Sequence, residues 1–294
     1  MKLVNFGSLN YDYVYSVDHM VLPGETLSSN SLETFCGGKG LNQSIALAKA
    51  GVSVYHAGMV GEDGESLIDM CKENQIDYRY ISKVQGKSGH TIIQLDKQGQ
   101  NSIILFPGTN GLNTLEHIEE VLDYFQEGDM ILLQNEINLL DQIIEKAYEK
   151  KMKIVLNPSP FNEKVKACDL SKVSMFLMNE IEGYQITGEK EPEDILNVME
   201  SKYPSAEVVL TLGKDGVMYS GNGMRYFRES FKVKAVDTTA AGDTFTGYFL
   251  ASVIEGKSIE EALKIGSFAA SIAVTRKGAS SSIPAKDEVE NRLM

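Results

Sequence analysis

The sequence predicts an α/β fold in which a mostly parallel central sheet is covered by helices on both faces and a small separate β-sheet serves as a lid. Three observations carry this expectation. Apolar, β-branched runs alternate with stretches of helical periodicity along most of the chain, as expected of strands buried on both faces. Two stretches break that rhythm and read as short strands and a β-hairpin. Several polar or glycine-rich turns follow strand-like runs, where the binding sites of such sheets lie.

The elements follow in order. Leu3–Phe6 reads as a strand, and Tyr13–Val17 with the segment after Pro23-Gly24 reads as short strands outside the main rhythm. Asn42–Ala50 is a helix closed by Gly51. Val54–Gly58 is a strand and Gly64–Asn74 a helix. Ser88–Asp96 and Asn101–Phe106 flank Lys97-Gln98-Gly99-Gln100 as the arms of a hairpin. Leu115–Gln126 is helical, Met130–Leu133 is a buried strand, Leu140–Lys150 is helical and Lys153–Leu156 is a strand. Met175–Met178, Val208–Leu212 and Lys232–Val236 add strands, and Thr244–Glu255 and Ile259–Thr275 are the last long helices. No internal repeat or long linker divides the chain, which reads as one domain over 1–294 with lid segments at about 11–36 and 88–107. The lid segments suit either a cover for a site or a dimer surface.

Composition narrows the function. The 294 residues carry 28 Lys and Arg against 41 Asp and Glu, a net charge of −13, with no basic run longer than Lys150-Lys151. Nucleic acid and anionic membrane surfaces repel such a chain. No apolar run reaches the length of a membrane span, and Met1–Gly7 is too short and too soon broken to act as a secretion signal. Cys36, Cys71 and Cys168 are odd in number and far apart, and His19, His56, His90 and His117 lack ligand spacing. A disulfide framework and structural zinc are therefore not expected, and the expected compartment is the cytoplasm. Cys36, beside Gly37-Gly38, is either a reactive thiol or a small buried hydrophobe.

Two segments carry chemistry. In Val236-Asp237-Thr238-Thr239-Ala240-Ala241-Gly242-Asp243-Thr244-Phe245 a β-branched strand end runs through small residues into a helix-like segment. Small residues let backbone approach backbone or a phosphate. A helix starting near Gly242 aims free N–H groups and its positive dipole end at that gap. Asp243 there is either a proton acceptor or an ordinary helix cap. In Cys36-Gly37-Gly38-Lys39-Gly40-Leu41-Asn42, three glycines surround a lysine able to meet a phosphate as a point charge. Gly256-Lys257-Ser258 and Gly86-Lys87-Ser88 end like a Walker A loop, but Ala251 and Ile81 stand where its first glycine belongs.

Taken together, these segments resemble the two signatures of the ribokinase-like (pfkB) carbohydrate kinase family. Gly37-Gly38-Lys39-Gly40-Leu41-Asn42-Gln43 matches the first and Asp237–Phe245 the second. The resemblance runs nearly the whole length, through Gly7–Asp12, Pro23–Thr26, Gly58–Asp63, Asn157-Pro158, Asn179–Glu182, Thr211–Gly213 and Val274–Ala279. The last of these, with Asn10 and Asp12, is most similar to the ribokinase branch.

The resemblance implies a three-layer ribokinase-like fold and transfer of the γ-phosphate of ATP to a sugar hydroxyl, with D-ribose at its 5-hydroxyl as the leading acceptor. It implies Asp243 as general base, with Ala240, Ala241 and Gly242 offering N–H groups to the transferred phosphoryl. The family usually has Gly-Ala-Gly-Asp here, so Ala240 is a departure. Sugar contacts fall to Asn10, Asp12, Gly38, Lys39, Asn42 and Glu136. Nucleotide contacts fall to Asn179, Thr211, Gly213, Asp215, Gly216 and Gly242. Glu182 would orient Mg²⁺ through water. The ribokinase branch also implies K⁺ at Asp237, Thr239, Ala273, Arg276, Gly278 and Ser282, several acting through carbonyls, and a homodimer through the lid. A nucleoside kinase, for which Tyr11, Tyr13 and Phe106 can supply a base slot, is the alternative within the fold. A sugar-binding regulator without turnover is the alternative outside it. Residue by residue, bland readings stand beside these roles. Asn10 and Asp12 suit a turn, Glu136 an exposed helix start, Glu182 a solvated helix face, Thr211–Gly216 a strand with its hairpin turn, and Asp237 a turn cap.

Overall fold

The apolar runs assemble side by side into one nine-stranded sheet in the computed structural model, which describes residues 1–293. The chain begins with β1 (Leu3–Phe6), then leaves the sheet for β2 (Asn10–Ser16) and β3 (Ser31–Gly37). Helix α1 (Lys39–Lys49), β4 (Val54–Val60), α2 (Glu65–Glu73) and β5 (Asp77–Lys83) build one end. The hairpin β6 (Gly89–Leu95) and β7 (Asn101–Phe106) leaves it again. Then follow α3 (Leu115–Asp123), β8 (Met130–Gln134), α4 (Leu140–Glu149), β9 (Lys153–Asn157), short α5 (Glu163–Lys166), β10 (Met175–Asn179), α6 (Glu180–Thr187), α7 (Pro192–Lys202) and β11 (Glu207–Thr211). A hairpin of β12 (Val217–Gly221) and β13 (Met224–Arg228) precedes α8 (Ala241–Ile254), α9 (Ile259–Ala273) and α10 (Lys286–Leu293).

The large sheet runs β13-β12-β11-β10-β9-β8-β1-β4-β5, parallel throughout except for the antiparallel β12 and β13. Side chains alternate between its faces. Leu3, Leu132, Val155, Leu177 and Val209 pack under α1, α8 and α9, with Leu41, Phe249 and Leu263. Val4, Ile131, Ile154, Phe176 and Val208 pack on the other face with Ile118, Ile143 and Leu196 of α3, α4 and α7. The result is three layers, as the sequence predicts. The small sheet runs β3-β2-β6-β7 and is mixed, because β2 and β6 pair in parallel.

Packing brings the two signature segments together. Helix α8 is buried from Asp243 to Ser252, as expected for a helix apolar all round. A Cβ on its Gly247 would lie 2.3 Å from the Cβ of Ala46 in α1, so only glycine allows this approach. A Cβ on Gly40 would lie 2.4 Å from the Ser8 amide nitrogen, which makes the start of α1 equally dependent on glycine.

The structure differs from the sequence reading at several elements. Helices α1 and α8 each begin three residues earlier than expected, at Lys39 and Ala241, so that Gly40 and Gly242 lie in first helical turns rather than in loops. Lys232–Val236 is not a strand. It is β-branched and alternating, but its end bonds to the close of α9 instead of to a strand, with Val236 N–H donating to Val274 O at 2.7 Å. Strand β5, helices α6 and α7, and the β12–β13 hairpin were not predicted.

Candidate active site

The left-handed Ala240 (φ 57°) turns the chain into α8 and presents Asp243 on its first turn. This conformation costs a non-glycine residue about 1–2 kcal/mol. The Asp243 carboxylate is buried, accepting from Asn42 Nδ2 at Oδ2 (3.1 Å) and from Gln43 Nε2 at Oδ1 (2.9 Å). Asn42 Oδ1 is buried with no hydrogen-bond partner. Among the described residues, Gly242 N–H has no backbone acceptor, as expected in a first helical turn. Ala241 N–H, expected to be free, instead donates to Thr238 O at 3.2 Å.

Two clefts meet here. One, of about 460 Å³, is lined by Thr211, Gly213, Gly216, Ala241 and Gly242, with walls of Val217, Phe231, Val233, Ala235 and Val274. The extended Lys232–Val236 stretch thus forms a cleft wall, which the sequence reading missed by assigning it to the sheet. The other, of about 220 Å³, is lined by Lys39, Asn157, Asn179, Glu182, Thr211, Ala240, Ala241, Gly242 and Asp243. Asp215 lies outside both clefts, exposed on the Gly213–Asp215 turn, so the carboxylate expected near the nucleotide is not brought there.

Asn179 and Glu182 cap α6. Asn179 Oδ1 accepts from Ile181 N–H (2.8 Å) and Glu182 N–H (3.1 Å), and Glu182 Oε2 accepts from Asn179 N–H (2.9 Å). Glu182 is therefore buried at the cleft rather than solvated. No group of three or more His, Cys, Asp or Glu able to hold a metal occurs among the described residues. Glu182 alone fits a divalent ion that keeps its water and is held by phosphates.

On the other side of Asp243, Asn10 Oδ1 accepts from Asn110 Nδ2 at 2.6 Å, and Asp12 Oδ1 accepts from the Thr91 hydroxyl at 2.5 Å. Burial pushes the Asp12 carboxyl up to about 6; the Thr91 bond opposes this, while Glu136 and Asp243 add to it. Glu136 sits in the turn after β8, where its Oε2 accepts from Ser8 Oγ (2.5 Å) and Lys39 N–H (3.1 Å). Burial raises its carboxyl, which Lys39 only partly offsets. Burial alone would lower the Lys39 ammonium, but Asp243, Glu136 and Glu182 together hold it above its ordinary value. Gly38, left-handed at φ 92°, lies 3.1 Å at its would-be Cβ from both Asn10 N and Ser8 Oγ. Asn110 and Thr91 were missed by the sequence reading, since neither carries a local motif.

Of the proposed cation residues, Asp237, Thr239 and Gly278 come together. Asp237 accepts from Thr239 N–H (2.9 Å) and Gly278 N–H (3.0 Å), joining the loop before α8 to the one after α9. Burial opposes ionisation of Asp237, but the Thr239 and Gly278 bonds and nearby Lys277 hold its carboxyl below the usual range. Arg276 turns away to pair with Glu288, Ala273 O accepts from Arg276 N–H, and the Ser282 hydroxyl donates to Ala279 O.

Two sequence expectations change. Burial pushes the Cys36 thiol up to about 11, with Asp12 and Glu73 adding to it, so it stays protonated and is not a reactive nucleophile. Tyr11 and Tyr13 alternate with Asn10 and Asp12 along β2, so they face the opposite side of the small sheet. Tyr11 donates to Asp63 O, and Tyr13 and Phe106 pack on either side of His90. These aromatics therefore form no slot beside the Asn10 and Asp12 side chains.

Comparison with known proteins agrees with this geometry. Residues 1–286 match the model of the pfkB family carbohydrate kinases. Ribokinase from Haemophilus influenzae is 35% identical over 299 residues, covering 97% of this chain and 96% of its own. The crystal structure of ribokinase from Thermotoga maritima matches with a TM-score of 0.86 at 33% identity, covering 100% of this chain and 99% of its own. That of Arabidopsis thaliana ribokinase complexed with ribose and ATP matches with a TM-score of 0.86 at 29% identity, covering 99% and 98%.

Proposed function

The chain belongs to the pfkB family of carbohydrate kinases, and from that premise we propose that it transfers the γ-phosphate of ATP to the 5-hydroxyl of D-ribose. One observation carries the reading. Asn42 holds Asp243 while its own buried Oδ1 lacks a partner, beside a cleft floored by the start of α8. A buried acceptor left unpaired costs about 1–3 kcal/mol, and a polyhydroxy substrate removes that cost. One hydroxyl donates to Asn42 Oδ1 and the reacting hydroxyl to Asp243.

As the ribose oxygen attacks the γ-phosphorus, Asp243 takes its proton and the bond to the β–γ bridging oxygen breaks, releasing ADP. Gly242 N–H and the Lys39 ammonium face the charge spreading over the transferred group. The apolar walls around Phe231 and Val233 suit the adenine base, and Thr211, Gly213 and Gly216 line the way to the phosphates. Asn10, Asp12, Gly38, Asn42 and Glu136 hold the sugar, with Asn110 and Thr91 supporting Asn10 and Asp12. Mg²⁺, oriented by Glu182 through water, would neutralise phosphate charge. K⁺ at Asp237, Thr239, Ala273, Arg276, Gly278 and Ser282 would order the loop entering α8.

The lid supports a homodimer. Strand β7 is an edge whose Ile103, Ile104, Leu105 and Phe106 are all exposed, a surface that a second copy would cover. No helix among the described residues is long and apolar enough to cross a membrane, and the reading assigns the enzyme to the ATP-supplied cytoplasm.

The test is ATP consumption over a panel of pentoses, hexoses and nucleosides, with K⁺ or Na⁺ as the only monovalent cation. Ribose is expected as the preferred acceptor, with stimulation by K⁺. Asp243→Asn is expected to keep ribose binding while turnover drops at least about a hundredfold. Preference for a nucleoside by orders of magnitude would overturn the substrate.

A further inference from the structure

Beneath the sugar floor, buried polar side chains form one continuous hydrogen-bond array that ends on Asp243. Gln43 Nε2 donates to Asp243 Oδ1 at 2.9 Å. Gln134 Nε2 donates to Gln43 Oε1 (2.7 Å) and to Asn5 Oδ1 (3.0 Å). Asn5 Nδ2 donates to Gly40 O (2.7 Å) and Ser44 Oγ (2.9 Å), and Ser44 Oγ meets His56 Nδ1 at 2.8 Å. Asn5, Gln43, Ser44, His56 and Gln134 are all fully buried.

The polarity of the array is forced from the Asp243 end. A carboxylate only accepts, so Gln43 turns its amide nitrogen to Asp243 and its carbonyl to Gln134. Gln134 must then donate, and its second N–H goes to Asn5. Asn5 spends both N–H groups on Gly40 and Ser44, and the Ser44 hydroxyl carries the array on to His56 Nδ1, with the direction of that last bond set by the imidazole tautomer. Burial lowers the His56 imidazole to about 4, which keeps this end of the array uncharged. Every amide orientation is fixed by the next, and aligned bonds of this kind polarise one another toward the charged end.

Stability alone gives little reason for the array, since apolar residues of the same shape can replace both partners of a buried hydrogen bond at little cost. We propose that Gln43 is a positioning residue for Asp243, and that Gln134, which does not touch the carboxylate, holds Gln43 in the donating orientation. Gln43 pins Oδ1, which leaves Oδ2 presented at the Asn42 edge toward the acceptor hydroxyl. The proposal rests on the general-base reading of Asp243.

Gln43→Met and Gln134→Met in the full chain test it, each nearly volume-conserving and without a side-chain donor. Gln43→Met is expected to lower kcat about 10–100-fold, the range of a lost hydrogen bond to a charged group, and Gln134→Met about 2–10-fold, the range of a lost neutral one. Both are expected to leave the KM for ribose within about twofold of wild type. The double variant is expected to be no slower than Gln43→Met, and Gln43→Met on an Asp243→Asn background is expected to add no further loss. Wild-type kcat in Gln134→Met overturns the proposal even if Gln43→Met does not fold. Losses that multiply on the Asp243→Asn background, or that fall on KM and melting temperature as much as on kcat, reduce the array to a structural one. Near-normal kcat in Asp243→Asn itself overturns the general-base reading and the proposal with it. Loss there with kcat retained in both glutamine variants overturns the proposal alone.

Discussion

Gly242→Ala separates what the start of α8 does for folding from what it does for phosphoryl transfer. A Cβ built on Gly242 meets no heavy atom within 4 Å, and its φ is not positive. Gly242 lines both clefts, so the methyl enters the space where they join. In the folded protein alone the change relieves the entropy cost of helical glycine, a gain of about 0.5–1 kcal/mol. For a chain of this size that raises the melting temperature by about 1–3 °C. Catalysis moves the other way, because the methyl occupies the surface over which the phosphoryl group passes. A displacement of about 1 Å at the reacting centre costs on the order of a hundredfold in rate. Differential scanning fluorimetry and a coupled ADP-release assay measure the two effects. Ribose affinity, by calorimetry without nucleotide, stays near wild type because Asn10, Asp12 and Asn42 are untouched. A variant that turns over ATP at the wild-type rate would place the phosphoryl group away from Gly242 and refute the reasoning.

Two other expectations follow from the same geometry. Folded Asp12 keeps its proton up to about pH 6, against 3.8 for the ordinary carboxyl, so its contribution to stability is present below pH 3.8 and lost as pH rises through 6. Sugar hydroxyls donate to the ionised form, so ribose binding tightens as pH rises through 6. About tenfold weaker binding at pH 5 than at pH 7 is expected by calorimetry, with Asp12→Asn removing that dependence. On β7, Ile104 is 61% exposed on an unpaired edge, so Ile104→Lys should convert a dimer to a monomer in light scattering, and an unchanged mass would send the interface elsewhere.

What the sequence reveals and what it hides divide along physical lines. The two glycine segments are legible because close approach, of backbone or of a phosphate, demands small residues at fixed positions. Gly40 against Ser8 leaves no room for a Cβ, and Gly242 lines both clefts with nothing over its Cβ position. The buried strands are legible because parallel strands covered on both faces become continuous apolar runs. Strand β5 escapes because its Asp77–Lys83 is mostly polar and half-buried at the sheet edge. Helix α6 carries a readable signal in Asn179 and Glu182, a capping box at the required spacing, but Glu182 was read as a ligand or a solvated helix residue and not as half of a cap. Asn110 on Asn10, Thr91 on Asp12 and Gln134 on Gln43 lie 79 to 100 residues apart in the chain. No local pattern encodes such pairs. Lys232–Val236 has strand composition, but its end bonds to Val274 at the close of α9, so only the folded chain reveals it as a cleft wall.

One close approach and one polar contact between two helices serve the same carboxylate. Helices α1 and α8 approach through Gly247 and Ala46 with no side chain between them, and that approach is what lets Asn42 and Gln43 of one reach Asp243 of the other. An interface built only for stability would fill this seam with leucine-sized residues and gain from their burial. Here the upper turn instead holds amides that can be satisfied only while the helices stay at this separation. That separation is set lower in the seam, where Gly247 meets Ala46 one turn below Asp243. The core therefore fixes a distance, the amides convert that distance into an orientation of one carboxylate, and the loop through left-handed Ala240 brings the phosphoryl-binding backbone to meet it.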